Sequence, residues 1–368
     1  MATELGIERS SVFGAFSVSL VVMALAGPAV GRSIDERGGR GMLACSNLVF
    51  AAGLVLLGLA SNAWLVYGAW CVLGVAMAMG LYDAAFSTLV RLHGGQARGP
   101  ITGITLIAGF ASTLGWPFTA FVAQHLGWQA SCLAWALLHL LVALPLNLRF
   151  VPPTPRRPIG PGPASARNPG TLPERGAGVP RRAFLLLALF SAATAFVTSA
   201  MAAHLPGLLV ASGASAGLAL AASALLGPAQ VAARLLEFMA MSRIPFHPLI
   251  TARLATAMHP LGALVLGFSA GPWAACGFAL LHGAGNGLIT IAKGTLPLAL
   301  FGAAGYGLLQ GLLGMMARAM QALAPYAFGL VLERQGAQAA IMLSAGLSLI
   351  ALAALAVLRS AAPSDSRR

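Results

Sequence analysis

Residues 27–41 read GPAVGRSIDERGGRG, five charged residues in a chain of which only 8% is charged. The cluster closes the first long apolar run, about thirty residues from Met1. Its surroundings are apolar throughout: 58% of the 368 residues are hydrophobic and the mean hydropathy is +0.84. Soluble domains carry roughly 25% charged residues. About 20 apolar residues, rising about 1.5 Å each, suffice to span a bilayer core, and this chain is mostly such segments. It is an all-α polytopic membrane protein, and the charged stretch is a loop between two of its helices.

Eleven apolar helices are predicted, near 8–31, 41–60, 64–90, 100–124, 128–149, 183–209, 213–236, 246–268, 271–296, 301–331 and 337–358. Short polar breaks separate most of them. Residues 150–182 differ, being crowded with proline, glycine and arginine, which neither continue a helix nor enter lipid. They divide the chain into a first half (1–149, five helices), a linker (150–182), a second half (183–360, six helices) and a tail (361–368).

The formal charge of +13 does not indicate nucleic acid, whose binders cluster bases on a solvated face. Here the arginines fill alternate gaps between apolar runs. One side receives Arg32, Arg37, Arg40, Arg91, Arg98, the linker arginines, Arg243 and those of the tail; the other receives little beyond Arg9 and Arg334. The positive-inside rule puts the linker and the C-terminus in the cytoplasm and, with an odd number of spans, Met1 outside. The four cysteines lie within apolar runs, with no metal-ligand spacing. No cofactor or metal is indicated, and no protease signature or carboxylate dyad suggests a membrane-embedded enzyme.

The halves echo each other. Gly27-Pro28-Ala29 precedes Arg32, Asp35 and Glu36; Gly227-Pro228-Ala229, 200 positions on, precedes Arg234 and Glu237. Gly80 to Asp83 in the third span answers Gly283 to Asn286 in the ninth, and Trp116-Pro117 answers Ala324-Pro325, at slowly growing offsets. This indicates a parallel repeat.

Two parallel halves joined by a linker resemble the major facilitator superfamily, whose halves are related by an axis along the membrane normal. The family's signature after its second helix reads Gly-x-x-x-Asp-Arg-x-Gly-Arg-Arg/Lys; Gly31, Asp35, Gly38 and Arg40 match it. Glu36 stands where arginine is usual, with Arg37 beside it, and Gly39 replaces another basic residue. The resemblance implies the family's fold and a gating loop built from Gly31, Arg32, Asp35, Glu36, Arg37, Gly38 and Arg40. On physical grounds Gly31 would let the chain leave its helix tightly. Asp35 could sit against the positive N-terminus of a neighbouring helix. Arg32, Arg37 and Arg40 could meet headgroups or carboxylates. A plain positive-inside loop is the alternative. Many drug exporters of the family carry an acid seven residues before an Arg-Gly pair; here Arg91 stands seven before Arg98-Gly99. That is closer to the monocarboxylate and oxalate–formate branches, and leaves Glu36 or Glu237 to pair with the loop arginines.

In the family this loop follows helix two, yet here it follows the first span. The repeat places the counterpart of the helix near 183 almost wholly before Met1, so eleven spans read as the usual twelve without the first.

Ionisable groups at mid-membrane are functional candidates by default. Asp83, with Tyr82 before it, is the one acid deep in a span, and Arg318 the one clear mid-span arginine. Gln310, Arg318 and Gln321 share a helical face. His282 and Asn286 stand four apart on the ninth span, with Thr290 and Lys293 following; His204 lies on the sixth. The resemblance implies that spans three, six and nine line a central cavity. Each residue also has a plainer reading: Asp83 as a structural partner of Arg318, His282 as a satisfied interior histidine. The chain is expected to be a monomeric secondary transporter of the bacterial inner membrane, working by alternating access with proton coupling. A small organic anion is the favoured solute. A drug or toxic-metalloid exporter is the alternative, and a truncated non-transporting remnant a further one.

Overall fold

The computed structural model describes residues 1–154, 180–244, 246–268 and 271–358, and the long elements among them are all helical. The elements before the linker are α1 (Arg9–Arg37), α2 (Gly39–Gly58), α3 (Ala63–Gly80), α4 (Tyr82–His93), α5 (Arg98–Ala108), α6 (Ala111–Leu138) and α7 (Leu144–Phe150). After it come α8 (Arg181–Ala211), α9 (Ala216–Ala224), α10 (Leu226–Arg243), α11 (Pro248–Phe268), α12 (Pro272–Phe301) and α13 (Tyr306–Val357). A short π-helical segment, His139–Ala143, joins α6 to α7. Most of the linker, residues 155–179, and the tail lie outside the described residues.

A straight helix of 52 residues, the length of α13, would run about 78 Å at ~1.5 Å per residue, more than twice a bilayer core of ~30 Å. It does not run straight: Gly336 adopts φ 84°, ψ 177°, and the chain turns back there. Gly127, at φ 86°, divides α6 in the same way. With α3/α4, α5/α6 and α9/α10 each counted as one interrupted crossing, the described residues make eleven crossings, near those expected apart from the ends of the first and the seventh, which run on to Arg37 and Arg243. Hydropathy translates into helix so directly because a bilayer core leaves backbone groups no partner but their own helix.

One expectation needs correction. The first crossing does not end at Gly31; α1 continues to Arg37, and the sharp exit is Gly38, at φ 84°. That conformation lies in the region open to glycine and strained for other residues. Thr154, at the start of the linker, packs over Gly38. Gly31 is instead a buried contact within the helix.

The end of the bundle bearing Gly38, Arg98 and the two ends of the linker is here termed the linker face. The halves meet there in two places. On one side α1 packs along the first part of α13; on the other α10 packs against α5. The repeat relates these contacts, since the Gly-Pro-Ala triplets lie on α1 and α10. Between them a plug of Phe86, Val90, Ala97 and Ile101 from the first half and Leu298 and Tyr306 from the second is buried.

Candidate functional site

The stretch expected to form a gating loop is mostly the last turns of α1, and it meets α13 through backbone. Gly31 lies so close to Gly307 that a Cβ there would overlap its carbonyl, and a Cβ on Gly311 would come within 2.5 Å of the Gly27 oxygen. This approach brings the end of α1 to the start of α13. There Asp35 Oδ1 accepts from the Gly307 amide and Oδ2 from the Leu308 amide, each at 2.9 Å. These amides belong to the first turn, where a helix has no internal acceptor for them, and a carboxylate is favoured by the helix dipole. The arginines, expected at headgroups or carboxylates, lie at a backbone carbonyl and on the surface. Arg40 donates to the Leu148 carbonyl within its own half, and Arg32 and Arg37 are exposed. Glu237 does not serve the loop either: it is 7% exposed, accepts from Thr251 at 2.8 Å and pairs with Arg98 at 3.3 Å.

Above the plug, on its side away from the linker face, lies a polar centre. The third crossing breaks at Leu81 (ψ −169°), so α4 starts afresh in mid-bundle with Asp83 in its first turn. Asp83 Oδ2 takes a hydrogen bond from Arg318 at 3.2 Å, and Oδ1 lies 3.4 Å from Gln310 Nε2. Arg318 also donates to Gln321 at 2.7 Å. Gln310, Arg318 and Gln321 are thus brought together as their shared face predicts, and Asp83 of α4 joins them. Lys293 from α12 and Ser191 from α8 complete the walls of a small cavity of about 50 Å³, in which Gln310 Oε1 and Arg318 Nε have no protein partner. Pro297 has no N–H, which frees the Lys293 carbonyl four residues earlier; Gln310 Nε2 lies 3.4 Å from it.

Tyr82 faces another way. It lines a cavity of about 560 Å³ with Leu81, Ile104, Gly109, Gln230 and Arg234, drawn from both halves. Its ring stacks on Phe86 and its hydroxyl lies by the Arg234 guanidinium. Arg234 is 4% exposed and donates to the Thr105 carbonyl at 2.9 Å, the Gly287 carbonyl at 3.3 Å and the Thr290 hydroxyl at 3.3 Å. None of these acceptors is a carboxylate. Arg234, in sequence a member of the repeat two residues from the expected helix end, lies well inside α10, which runs to Arg243. Lys293 is the only lysine in the chain, a signal that sets it apart from the other polar residues of its span.

His282, Asn286 and His204 do not reach the polar centre. His282 stacks on His259 and Phe278 inside the second half, with ring centroids 4.4 and 5.7 Å away. Asn286 lies 3.3 Å from His282 and accepts from Thr198 at 2.8 Å. His204 sits 2.7 Å from the Pro325 carbonyl. One turn away, Ser199 donates at 2.9 Å to the Gln321 carbonyl that Pro325 leaves free. These contacts pin α8 onto α13.

The family model described as Major Facilitator Superfamily matches residues 1–277. A curated relative, the "Uncharacterized 38 kDa protein in 23S RNA operon" of Thermoproteus tenax, is 33% identical over 148 residues; the match takes in 40% of this chain and 38% of that protein. Among solved structures, the human organic anion transporter MFSD10 (TETRAN) matches at TM-score 0.69 and 18% identity, over 96% of this chain and 87% of that one. The E. coli fucose:proton symporter FucP matches at TM-score 0.65 and 14% identity, over 94% and 96% respectively.

Proposed function

The chain belongs to the Major Facilitator Superfamily, and on that premise we propose that it is a secondary transporter whose solute is a small organic anion, carried by alternating access with proton coupling. One observation carries the choice of solute. Two cations, Lys293 and Arg318, line the small cavity with a single carboxylate, Asp83, and a third, Arg234, lines the larger cavity, among whose wall residues there is no carboxylate. A buried cation without a carboxylate is costly, and the guanidinium of Arg234 has the planar fork that suits one. The cavity of about 560 Å³ at Arg234 falls within the ~300–1,000 Å³ of small-molecule sites. Its walls beyond Arg234, Tyr82 and Gln230 are mostly apolar, which favours an acid with an apolar body.

The arginine asymmetry supports placing the linker face and the C-terminus in the cytoplasm; the membrane proposed is the bacterial inner membrane. The state described then has its cytoplasmic side shut by the plug and both seams. Rocking of one half on the other would part the seams and expose the centre to the opposite side, two conformations whose populations ligand binding biases. Asp83 is the proton-coupling candidate, since protonation would release Arg318 from its pair. The chemistry of Gln310, Gln321 and Tyr82 suits solute contacts.

The test is uptake into proteoliposomes of a panel of small carboxylic acids under imposed pH gradients. Gradient-driven accumulation of an acid is expected, falling at least about tenfold in Arg234→Gln, the order of one lost charged hydrogen bond. Accumulation of cationic drugs instead, or an unchanged Arg234→Gln, would overturn the anion. Uptake by Asp83→Asn that still follows the gradient would remove Asp83 from coupling.

A further inference from the structure

Helices α10, α11 and α12 enclose a cavity of about 640 Å³ on the flank of the second half, apart from the polar centre. Most of its wall is apolar, and three of its leucines, Leu236, Leu254 and Leu280, are 66%, 58% and 45% exposed. On a membrane-spanning helix such exposure is to lipid, so the groove opens sideways into the bilayer.

Its linker end has another chemistry. Phe246 closes it, and the Arg98 guanidinium lies over that ring, 4.9 Å from its centroid. Arg98 also donates to the Phe246 carbonyl and to Glu237, which lines the groove beside Phe246, and its buried Nε has no protein partner. Arg243 stands exposed in the last turn of α10. His247, in the connection to α11, accepts from the Leu249 amide through Nδ1, which leaves Nε2–H as a donor. Burial first, then the charges of Arg98 and Arg253, hold its pKa below the usual histidine value, a mark of positive potential at this rim. Glu237 is the acid on the groove wall, and Arg98 already engages it.

An apolar slot in the bilayer beneath a positive rim at its surface is complementary to a molecule with an aliphatic chain and an anionic head. We propose that an anionic phospholipid of the leaflet at the linker face occupies this groove. One acyl chain lies along Leu236 and Leu254, and the phosphate sits at Arg243 and His247, beside the Arg98–Glu237 seam. Each buried methylene adds about 0.8 kcal/mol, and each basic residue near a membrane surface about 1 kcal/mol toward an anionic headgroup. A zwitterionic lipid would bring a further cation to a rim that is already positive. The site is independent of the transported solute and touches the seam that must part during transport.

The test is lipid retention by the full chain. Protein purified in detergent is equilibrated with equal amounts of phosphatidylglycerol and phosphatidylcholine of matched chains, then washed, and the retained lipids are quantified by mass spectrometry. Phosphatidylglycerol is expected in about tenfold excess, the scale of one to two basic contacts. Leu254→Trp, which fills the groove, should lower its retention several-fold. Arg243→Gln with His247→Gln should keep the lipid but bring the ratio to about one. Equal retention by the wild type, or retention unchanged in Leu254→Trp, would overturn the proposal. Because a bulky residue could also disturb folding, the paired rim substitution tests the headgroup separately: a preference that survives it overturns the assignment as well.

Discussion

The two seams at the linker face do the same work by different physics. Along α1 and α13 the contact is backbone on backbone: Gly27 and Gly31 against Gly307 and Gly311, ended by Asp35 on two amides of α13. Between α5 and α10 it is side chain on side chain: Arg98 with Glu237 at 3.3 Å, and Arg234 on the Thr105 carbonyl at 2.9 Å. The repeat makes these contacts counterparts, so the architecture does not dictate the chemistry that closes it. The glycine seam is short-ranged, indifferent to salt and intolerant of an added atom at Gly31, Gly307 or Gly311. The arginine seam tolerates small displacements and, at the partly exposed Arg98, is weakened in part by ions. Its inner residue, Arg234, is also a wall of the cavity between the halves, so a bound anion would act on that seam first.

The sharpest way to break this contrast is Gly31→Leu. Any Cβ at Gly31 meets the Gly307 backbone, which cannot move aside as a flexible side chain would. Overpacking costs typically ~1–3 kcal/mol, and here it falls on the closed state specifically. Uptake is expected to drop about a hundredfold, the upper end of that range. A cysteine placed at Ile101 within the plug should become open to an impermeant alkylating reagent from the linker face. Gly103→Ala, where a methyl meets open space, should leave both measurements unchanged. Normal uptake by Gly31→Leu would mean that the glycine contact is not needed for closure.

A milder probe of the same seam is Asp35→Asn. It keeps the shape but removes the charge and one of two acceptors, and hydrogen bonds to charged groups are worth about 1.5–3 kcal/mol. Uptake about tenfold below wild type is expected, together with partial labelling at the same cysteine. Because the bonds are short and shielded, raising ionic strength should change the variant's deficit little.

How much of this was legible in sequence divides along a physical line. The eleven crossings were, because hydropathy and helix are nearly the same statement in a bilayer. The capping role of Asp35 was, because an isolated acid at a helix end has few uses, and so was the Asp83–Arg318 pair, because mid-span charges are rare. The role of Gly31 was not: charged residues from Arg32 onward looked like a loop, yet they ride on the last turns of α1 where it leaves the apolar core. Arg234 stood out in sequence only through the repeat, because it falls near the expected end of a helix that in fact continues to Arg243. Nor does polarity along a helix tell a residue facing the cavity from one facing a neighbouring helix, which is why His282, Asn286 and His204 looked equal to Gln310 before their partners were known.

The smallest effect, and the one that sharpens the contrast most, belongs to the arginine seam. Glu237→Gln keeps the hydrogen-bonding shape toward Arg98 and Thr251 but removes the ion pair, whose arginine side is 20% exposed. Glu237 itself is 7% exposed, so the retained hydrogen bonds, rather than solvent, limit the loss to about 1 kcal/mol, and uptake should fall about fivefold. That deficit should shrink as salt is raised, since screening weakens the wild-type pair that the variant lacks. The two seams share no partner, so Asp35→Asn combined with Glu237→Gln should multiply the single losses, within about 0.5 kcal/mol of additivity. A double variant no worse than Asp35→Asn would mean that the arginine seam already opens once the glycine seam is weakened. The halves would then close through one latch with a dependent second contact, and the pairing of the two seams by the repeat would be structural without being functional.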